Sequence, residues 1–396
     1  MDRRLSDWVE SYLVYTDDTE PRKSFREWCA ISVIAAVLQR RCWLDIGFEI
    51  FYPNMYIVLV GPPASRKGTA MKPGRVMLEE LGIPLAADES TRQKLITRMI
   101  NGTAMSSDGS SIGFHSSITI YSSELTVFLG YNNIELLTML CKWYDCESTF
   151  RYDTISRGEE EILNVWANLI GATTPMLIQS SLPQASIGSG FTSRTVFVYE
   201  DDKAKIVVFP QEDKELQKVL TLDLEHIKTL KGAFRMAEDF RQLYDDWRNA
   251  WEKDPPFKNQ ALDFYLQRRH VHLLKMCMIY SASRSDEMVL RGYDFARSLT
   301  MLENTESNMP HVFEGVGSNP LAEVQARIIR EISIREEIYL SELMDLFYND
   351  VTQRQLAEII AMLQERRFCK LDINTRLVTC LRRPEHGSKT STTEPD

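Results

Sequence analysis

The stretch NMYIVLVGPPASRKGT, from Asn54 to Thr69, restricts this chain more than any other. An apolar run without alternation, such as Met55 to Val60, marks a strand covered on both faces, and such strands belong to parallel sheets flanked by helices. The run stops at Gly61, Pro62 and Pro63. AMKPGRVMLEELG then returns to helical spacing, with Gly82 as its stop and Pro73 early enough to be tolerated. Three later segments repeat the strand signal: SSITIYSSELTVFLG, NVWANLIGATTP and RTVFVYEDD. Strands of this kind interleaved with helices predict an α/β fold in which helices cover a parallel sheet.

The turn after the first strand has a chemistry of its own. A loop that binds a triphosphate aims successive backbone N–H groups at one point, stands at a helix N-terminus and supplies a lysine for the β and γ phosphates. The usual spacing is G-x-x-x-x-G-K-[ST]. Gly61, Pro62, Pro63, Ala64, Ser65, Arg66, Lys67, Gly68 and Thr69 follow it with two departures. Arg66 replaces the second glycine, and Gly68 stands where a magnesium-binding hydroxyl is usual. Thr69 is then the candidate metal ligand, one residue late, unless water and acidic groups hold the ion. Arg66 either adds charge at the phosphates or turns to solvent. A plain glycine-proline turn with an incidental lysine is the competing explanation.

Three further elements suit the same chemistry. In ITIYSSELTVF, Glu124 ends a buried strand, where a hydrolytic phosphate-loop enzyme places an acid that polarises water. Ser123 stands where an aspartate is usual, and the alternative for SSE is a helix start capped by Ser122. In NLIGATTPMLIQ, Thr173 and Thr174 are candidates for orienting water or sensing the γ phosphate, or for capping the helix after Pro175. In SGFTSRTVFVYEDD, Gly190 and Ser193 form a tight turn that presents Arg194, either to the phosphates of a neighbouring subunit or to a nearby acid such as Glu200 or Asp201.

The rest of the chain divides by character. Residues 1–44 read as helical, with Ser24 as an N-cap, and 45–210 as the sheet-bearing core. Residues 211–312 carry charged amphipathic helices and read as a helical subdomain. Residues 313–319 form a glycine-rich linker, and 383–396 a disordered tail without apolar content. Between them, 320–382 run helix, short strand, helix, helix and hairpin, the order of a winged helix. Its third helix offers Gln353, Arg354 and Gln355, and its wing offers Lys370 and Arg376. Such groups suit duplex binding, although winged helices also dock proteins.

Composition removes several classes. The 396 residues are 44% hydrophobic and 26% charged, as in ordinary globular proteins, and long enough for two or three domains. No apolar run reaches the length of a membrane span, and the N-terminus lacks the apolar core of a secretory signal, so a cytoplasmic protein is expected. The seven cysteines lack close-set pairs, which argues against a disulfide framework or zinc site. His270 and His272, two apart on a helix, point in different directions. A net charge of −10 argues against coating nucleic acid through bulk charge. It leaves open a local basic groove, or one assembled around a ring.

The order of VLVGPPASRKGTA, IYSSELTVFLG, LLTMLCKWYDC, NVWANLIGATTPMLIQSSLP and GFTSRTVFVYE resembles a family of phage- and plasmid-encoded P-loop proteins that sits within or beside primase-helicases. Its members look like ring-forming replicative helicase or AAA-type ATPase modules. Over residues 20 to 310 the resemblance implies ATP and Mg2+ as cofactors, Lys67 at the phosphates, Glu124 as the acidic strand-end residue and Arg194 as an arginine finger. It also singles out Asp145, without a role. It implies a ring-like homo-oligomer such as a hexamer, acting on DNA in a bacterial host cytoplasm with a separate primase. An ATP-gated initiator or loader, and a nucleotide-binding scaffold without hydrolysis, are the alternatives.

Overall fold

The apolar run becomes the strand Tyr56–Val60, buried at every position. Val165–Thr173 and Thr195–Tyr199 pair with it in parallel, one on each side, so that Val60 lies opposite both Thr173 and Tyr199. Ile112–Ser122 runs parallel to the outer side of Val165–Thr173, and the antiparallel strand Thr103–Ser107 closes that edge. The chain is thus a mixed α/β protein with a largely parallel five-stranded sheet. In this computed structural model the described residues are 3–107, 112–154, 158–182, 190–251, 262–313, 322–372 and 374–381. The expected linker from 314 onward and the expected tail lie outside them.

The strand order sets where a ligand can sit. From Tyr56–Val60 the chain crosses to Ile112–Ser122, returns to lay Val165–Thr173 between the two, then passes to the other side as Thr195–Tyr199. Connections leave neighbouring strands in opposite directions, which opens a crevice at their carboxyl ends. Helix Lys67–Glu80 follows Tyr56–Val60 and passes through Pro73, which lies beyond the first turn, where the sequence had placed it early. Gly74 brings this helix against helix Lys23–Leu38, because a Cβ there would stand 2.6 Å from Val33 Cγ2.

Helix Lys23–Leu38 is buried around its whole circumference from Trp28 to Leu38. The strand beneath it contains a polar residue, Asn168, that is fully satisfied. Its amide donates to Ser32 Oγ and O at 3.0 and 3.2 Å, and its Oδ1 accepts from Met55 N at 3.0 Å. One buried amide therefore fixes both the helix and the start of Tyr56–Val60. Ser24 does not cap that helix as the sequence suggested. Arg22 occupies the cap position, and Ser24 Oγ donates to Glu200.

A second sheet joins Cys42–Asp45 and Ile50–Phe51 to Gly232–Met236 and Val289–Leu290. The last two strands fall where the sequence reads as helices alone. They are short, and Gly232–Met236 buries only Phe234, so no apolar run marks it. Helix Asp263–Arg284 is buried along most of its length despite its charges. Within it Arg269 forms a bidentate pair with Glu306 at 2.7 to 3.0 Å, and both side chains are almost fully buried. No described helix is long and apolar enough to cross a membrane.

The chain divides into two compact units, Met1–Glu314 and Gly315–Asp396. The second contains helix Ala322–Arg335, strand Glu337–Tyr339, helices Leu340–Phe347 and Gln353–Glu365, and strands Cys369–Leu371 and Leu377–Cys380. Leu377–Cys380 lies between the other two strands, antiparallel to both. Ile328, Ile332, Leu343, Phe347, Leu356 and Ile360 form its core.

Candidate functional site

The carboxyl ends of Tyr56–Val60 and its two neighbours stand level, and Gly61 turns the chain away from them. Its N–H donates to Thr173 O at 3.3 Å, and a Cβ on it would lie 2.4 Å from Glu200 O. Only glycine fits between those strand ends. Ser65 is buried, and both its N–H and its hydroxyl donate to Pro62 O, at 3.3 and 2.9 Å. Pro62 is half-buried, while Pro63 and Ala64 are exposed.

Ala64 and Arg66 adopt left-handed backbone at φ 69° and 64°, an uncommon conformation for residues with side chains. Left-handed residues alternating with right-handed ones gather backbone N–H groups into an anion-attracting concavity. Helix Lys67–Glu80 starts at once, adding its first free N–H groups and the positive end of its dipole. Lys67 Nζ folds over this turn and donates to Gly61 O at 2.8 Å, Pro62 O at 2.9 Å and Ser65 Oγ at 3.1 Å. Burial lowers the pKa of this amine, and the charge of Glu124 acts in the opposite direction. The structure therefore places Lys67 and Glu124, far apart in sequence, in one electrostatic neighbourhood.

The departures from the usual loop pattern have distinct fates. Arg66 pairs with Glu20 through its Nε, joining the loop to the segment after the first helix. Gly68 faces open space, with nothing within 4 Å of a Cβ built on it. Thr69 lies with Lys72, Pro73 and Val76 on one stripe of the helix, lining a cavity of about 300 Å³. Lys67 and Thr69 are about 200° apart around the helix, so Thr69 does not share the direction of the lysine.

Glu124 is exposed at the N-cap position of helix Leu125–Leu129, where its side chain makes no capping bond. Ser122 does not cap either. Its hydroxyl is buried without a hydrogen-bond partner among the described residues. The two threonines, inseparable in sequence, differ here. Thr174 caps helix Pro175–Ser181, accepting from Leu177 N at 3.4 Å, and Thr173 is buried at the strand tip beside Val60.

Arg194 stands at the opposite, amino-terminal end of the strands. It precedes Thr195–Tyr199, whose five residues put about 13 Å of strand between it and the level of the loop. Its Nε donates to Asp145 Oδ1 at 3.0 Å, a second nitrogen pairs with Asp145 Oδ2, and Nη1 donates to Gly190 O at 2.9 Å. Arg268 shares the same carboxylate at 3.1 Å. The turn behind Arg194 is anchored by buried His272, which bridges Tyr144 Oη at 3.2 Å and Ser193 O at 3.1 Å. A neutral ring suits one donor and one acceptor, and burial pushes His272 down to about 3.

In the second unit Gln353, Arg354, Lys370 and Arg376 are all exposed. Arg354 pairs with Glu358 at 3.0 Å one helical turn on. Gln355, grouped with them in the sequence reading, instead completes a capping box, accepting from Thr352 N and Oγ1 at 2.9 Å. Among the described residues no group of three or more His, Cys, Asp or Glu could hold a metal ion.

No protein-family model matches this chain, and no curated protein matches it. The residues that sequence reasoning missed are Glu20, Arg268 and the lining of the Thr69 cavity. Glu20 and Arg268 meet Arg66 and Asp145 across 46 and 123 positions, and the cavity gathers residues from Tyr15 to Gln217, so spacing carries no trace of them.

Proposed function

We propose that this chain is a P-loop ATPase that works on nucleic acid as an oligomer. The reading is carried by the Lys67 amine, held over a concave backbone turn between a buried parallel strand and a helix N-terminus. An incoming triphosphate would exchange for the loop carbonyls as the partner of that amine, while the loop N–H groups bind its oxygens. Glu124 is proposed to polarise the attacking water, and Thr173, at the tip of the strand between those of the loop and Glu124, to orient it. Arg194 stands at the far end of the strands from its own loop, so its proposed role is toward the nucleotide of a second copy. Asp145 then holds the guanidinium in place.

Among the described residues no cluster of carboxylates, imidazoles or thiols cages a metal. Ser123 and Glu124 stand at the strand end, Gly68 has no side chain and Thr69 lies on another face of the helix. Mg2+ is therefore proposed as the companion of the nucleotide, held chiefly by phosphate oxygens and water. The second unit is proposed as a winged helix in which Gln353, Arg354, Lys370 and Arg376 contact DNA. Its element order and their common exposure support this.

Substitution of Lys67 by alanine tests the core of the reading. Lys67→Ala is expected to abolish ATP binding in equilibrium titrations of the intact chain, and retained affinity would end the assignment. A nucleotide-binding scaffold without hydrolysis is the second reading, favoured by the missing hydroxyl at Gly68 and missing carboxylate at Ser123. DNA-stimulated ATP turnover that Glu124→Gln removes supports the motor. Binding unaccompanied by turnover supports the scaffold.

A further inference from the structure

The cavity of about 300 Å³ beside the loop has no role in the reading above. It begins at Thr69, the last residue of the loop, and continues along Lys72, Pro73 and Val76. Tyr15 from the first helix and the segment from Pro210 to Glu212 form the other walls. Its size is at the lower end for small-molecule sites, and its make-up, an apolar body with a few polar groups, is theirs too.

Three observations tie it to the loop. First, the stripe from Thr69 to Val76 covers about 10 Å of helix, the reach from an innermost phosphate across a sugar to the far edge of a base. Second, Pro73 has no N–H to return to the carbonyl of Thr69, which leaves that oxygen without its i+4 donor where the helix lines the cavity. Third, the far wall is fastened to the loop through one side chain. Glu20 pairs with Arg66 of the loop, accepts from Val207 N at 3.4 Å and meets Lys203 at 3.5 Å, and its carbonyl accepts from Ala204 N at 2.9 Å. The same strap returns to the first helix where Glu212 accepts from Tyr15 Oη at 2.9 Å.

We propose that this cavity receives the sugar and base of the nucleotide whose phosphates lie on Gly61 to Thr69, and that Gln217 reads the base as adenine. The proposal rests on the phosphate-loop reading. The Gln217 amide lines the cavity and has no side-chain partner among the described residues, whereas Gln211 already donates to Phe209 O. A glutamine amide pairs with the N6 and N7 edge of adenine, and guanine presents an acceptor where adenine presents a donor. Arg66, at a position that usually holds glycine, thereby acquires a purpose. Through Glu20 it links occupation of the loop to the wall that closes over the base.

The test compares ATP, GTP and inorganic tripolyphosphate as ligands of the full chain, because tripolyphosphate can use only the loop. ATP is expected to bind at least about tenfold more tightly than tripolyphosphate, and about tenfold more tightly than GTP. Val76→Trp, which fills the cavity, should bring ATP to the tripolyphosphate level and leave tripolyphosphate within twofold. Gln217→Ala, at a half-exposed position where folding is not at stake, should erase the preference for ATP over GTP. Tripolyphosphate bound as tightly as ATP, or an ATP preference untouched by both substitutions, overturns the cavity proposal and leaves the loop standing. Failure of the unmodified chain to bind any of the three removes both.

Discussion

Two glycines seven positions apart should respond to the same substitution with opposite signs. At Gly61 an added methyl would lie 2.4 Å from Glu200 O and 2.8 Å from Ser65 Oγ. Real Cβ atoms essentially never approach closer than 3.0 Å, so the strand ends must part by more than half an ångström. The movement strains the bonds from Gly61 N to Thr173 O and from Glu200 N to Val60 O, which hold the three carboxyl ends level. Overpacking of this kind costs about 1 to 3 kcal/mol. At Gly68 the same methyl meets nothing within 4 Å, and the residue sits in a helix, where alanine is favoured over glycine by up to about 1 kcal/mol. Urea unfolding followed by tryptophan fluorescence reads this directly, because Trp8, Trp28, Trp143 and Trp166 are all fully buried in the first unit. Gly61→Ala should lower stability by about 1 to 3 kcal/mol and weaken ATP binding, while Gly68→Ala should hold or raise stability. Equal shifts in the two variants, or an unperturbed Gly61→Ala, would show that the loop is not wedged between the strand ends as described.

Other expectations follow from the buried charges. His272 is held neutral in the fold, so the unfolded chain binds one more proton between the ordinary histidine pKa near 6.5 and the folded value of about 3. Its contribution is therefore complete above about pH 6.5 and is lost as pH falls toward 3, at about 1.4 kcal/mol per pH unit in between. His272→Gln, which keeps a donor and an acceptor, should remove that slope from a urea series between pH 4 and 6, and an unchanged slope refutes the assignment. Glu306→Gln leaves buried Arg269 with only the half-exposed Glu303, at 3.5 Å, as counter-charge and should cost about 3 kcal/mol in the same assay. The double replacement Arg269→Met with Glu306→Leu should recover most of that loss, and no recovery would place the cost in packing instead. Arg194→Ala should leave ATP binding within about twofold yet lower turnover of the assembled protein by about a thousandfold. Equal loss in binding and turnover would return Arg194 to a structural role.

The sheet was legible because its strands are apolar runs too continuous to be anything but covered on both faces. Tyr56–Val60, Val165–Thr173 and Thr195–Tyr199 all fall within the segments expected. Gly232–Met236 and Val289–Leu290 were not legible, since strands of five and two residues with one buried side chain each carry no periodic signal. The order of strand, glycine turn and helix could be read because the three are adjacent in the chain. The partner of Arg194 could not: Asp145 is 49 positions away, and the sequence offered Glu200 and Asp201 instead, which are much nearer. Glu200 in fact accepts from Ser24, and that contact also accounts for the misplaced cap of the second helix.

Lys67 and Arg194 at opposite strand ends of one sheet have a consequence for mixed populations. Copies that serve one another across such a distance must associate head to tail, through unlike faces, which closes into a ring or extends into a filament. Each reaction centre would then have two parents. A chain crippled at Lys67 could still lend its arginine, and a chain crippled at Arg194 could still hold ATP, so two inactive preparations combined would recover part of the activity that neither has alone.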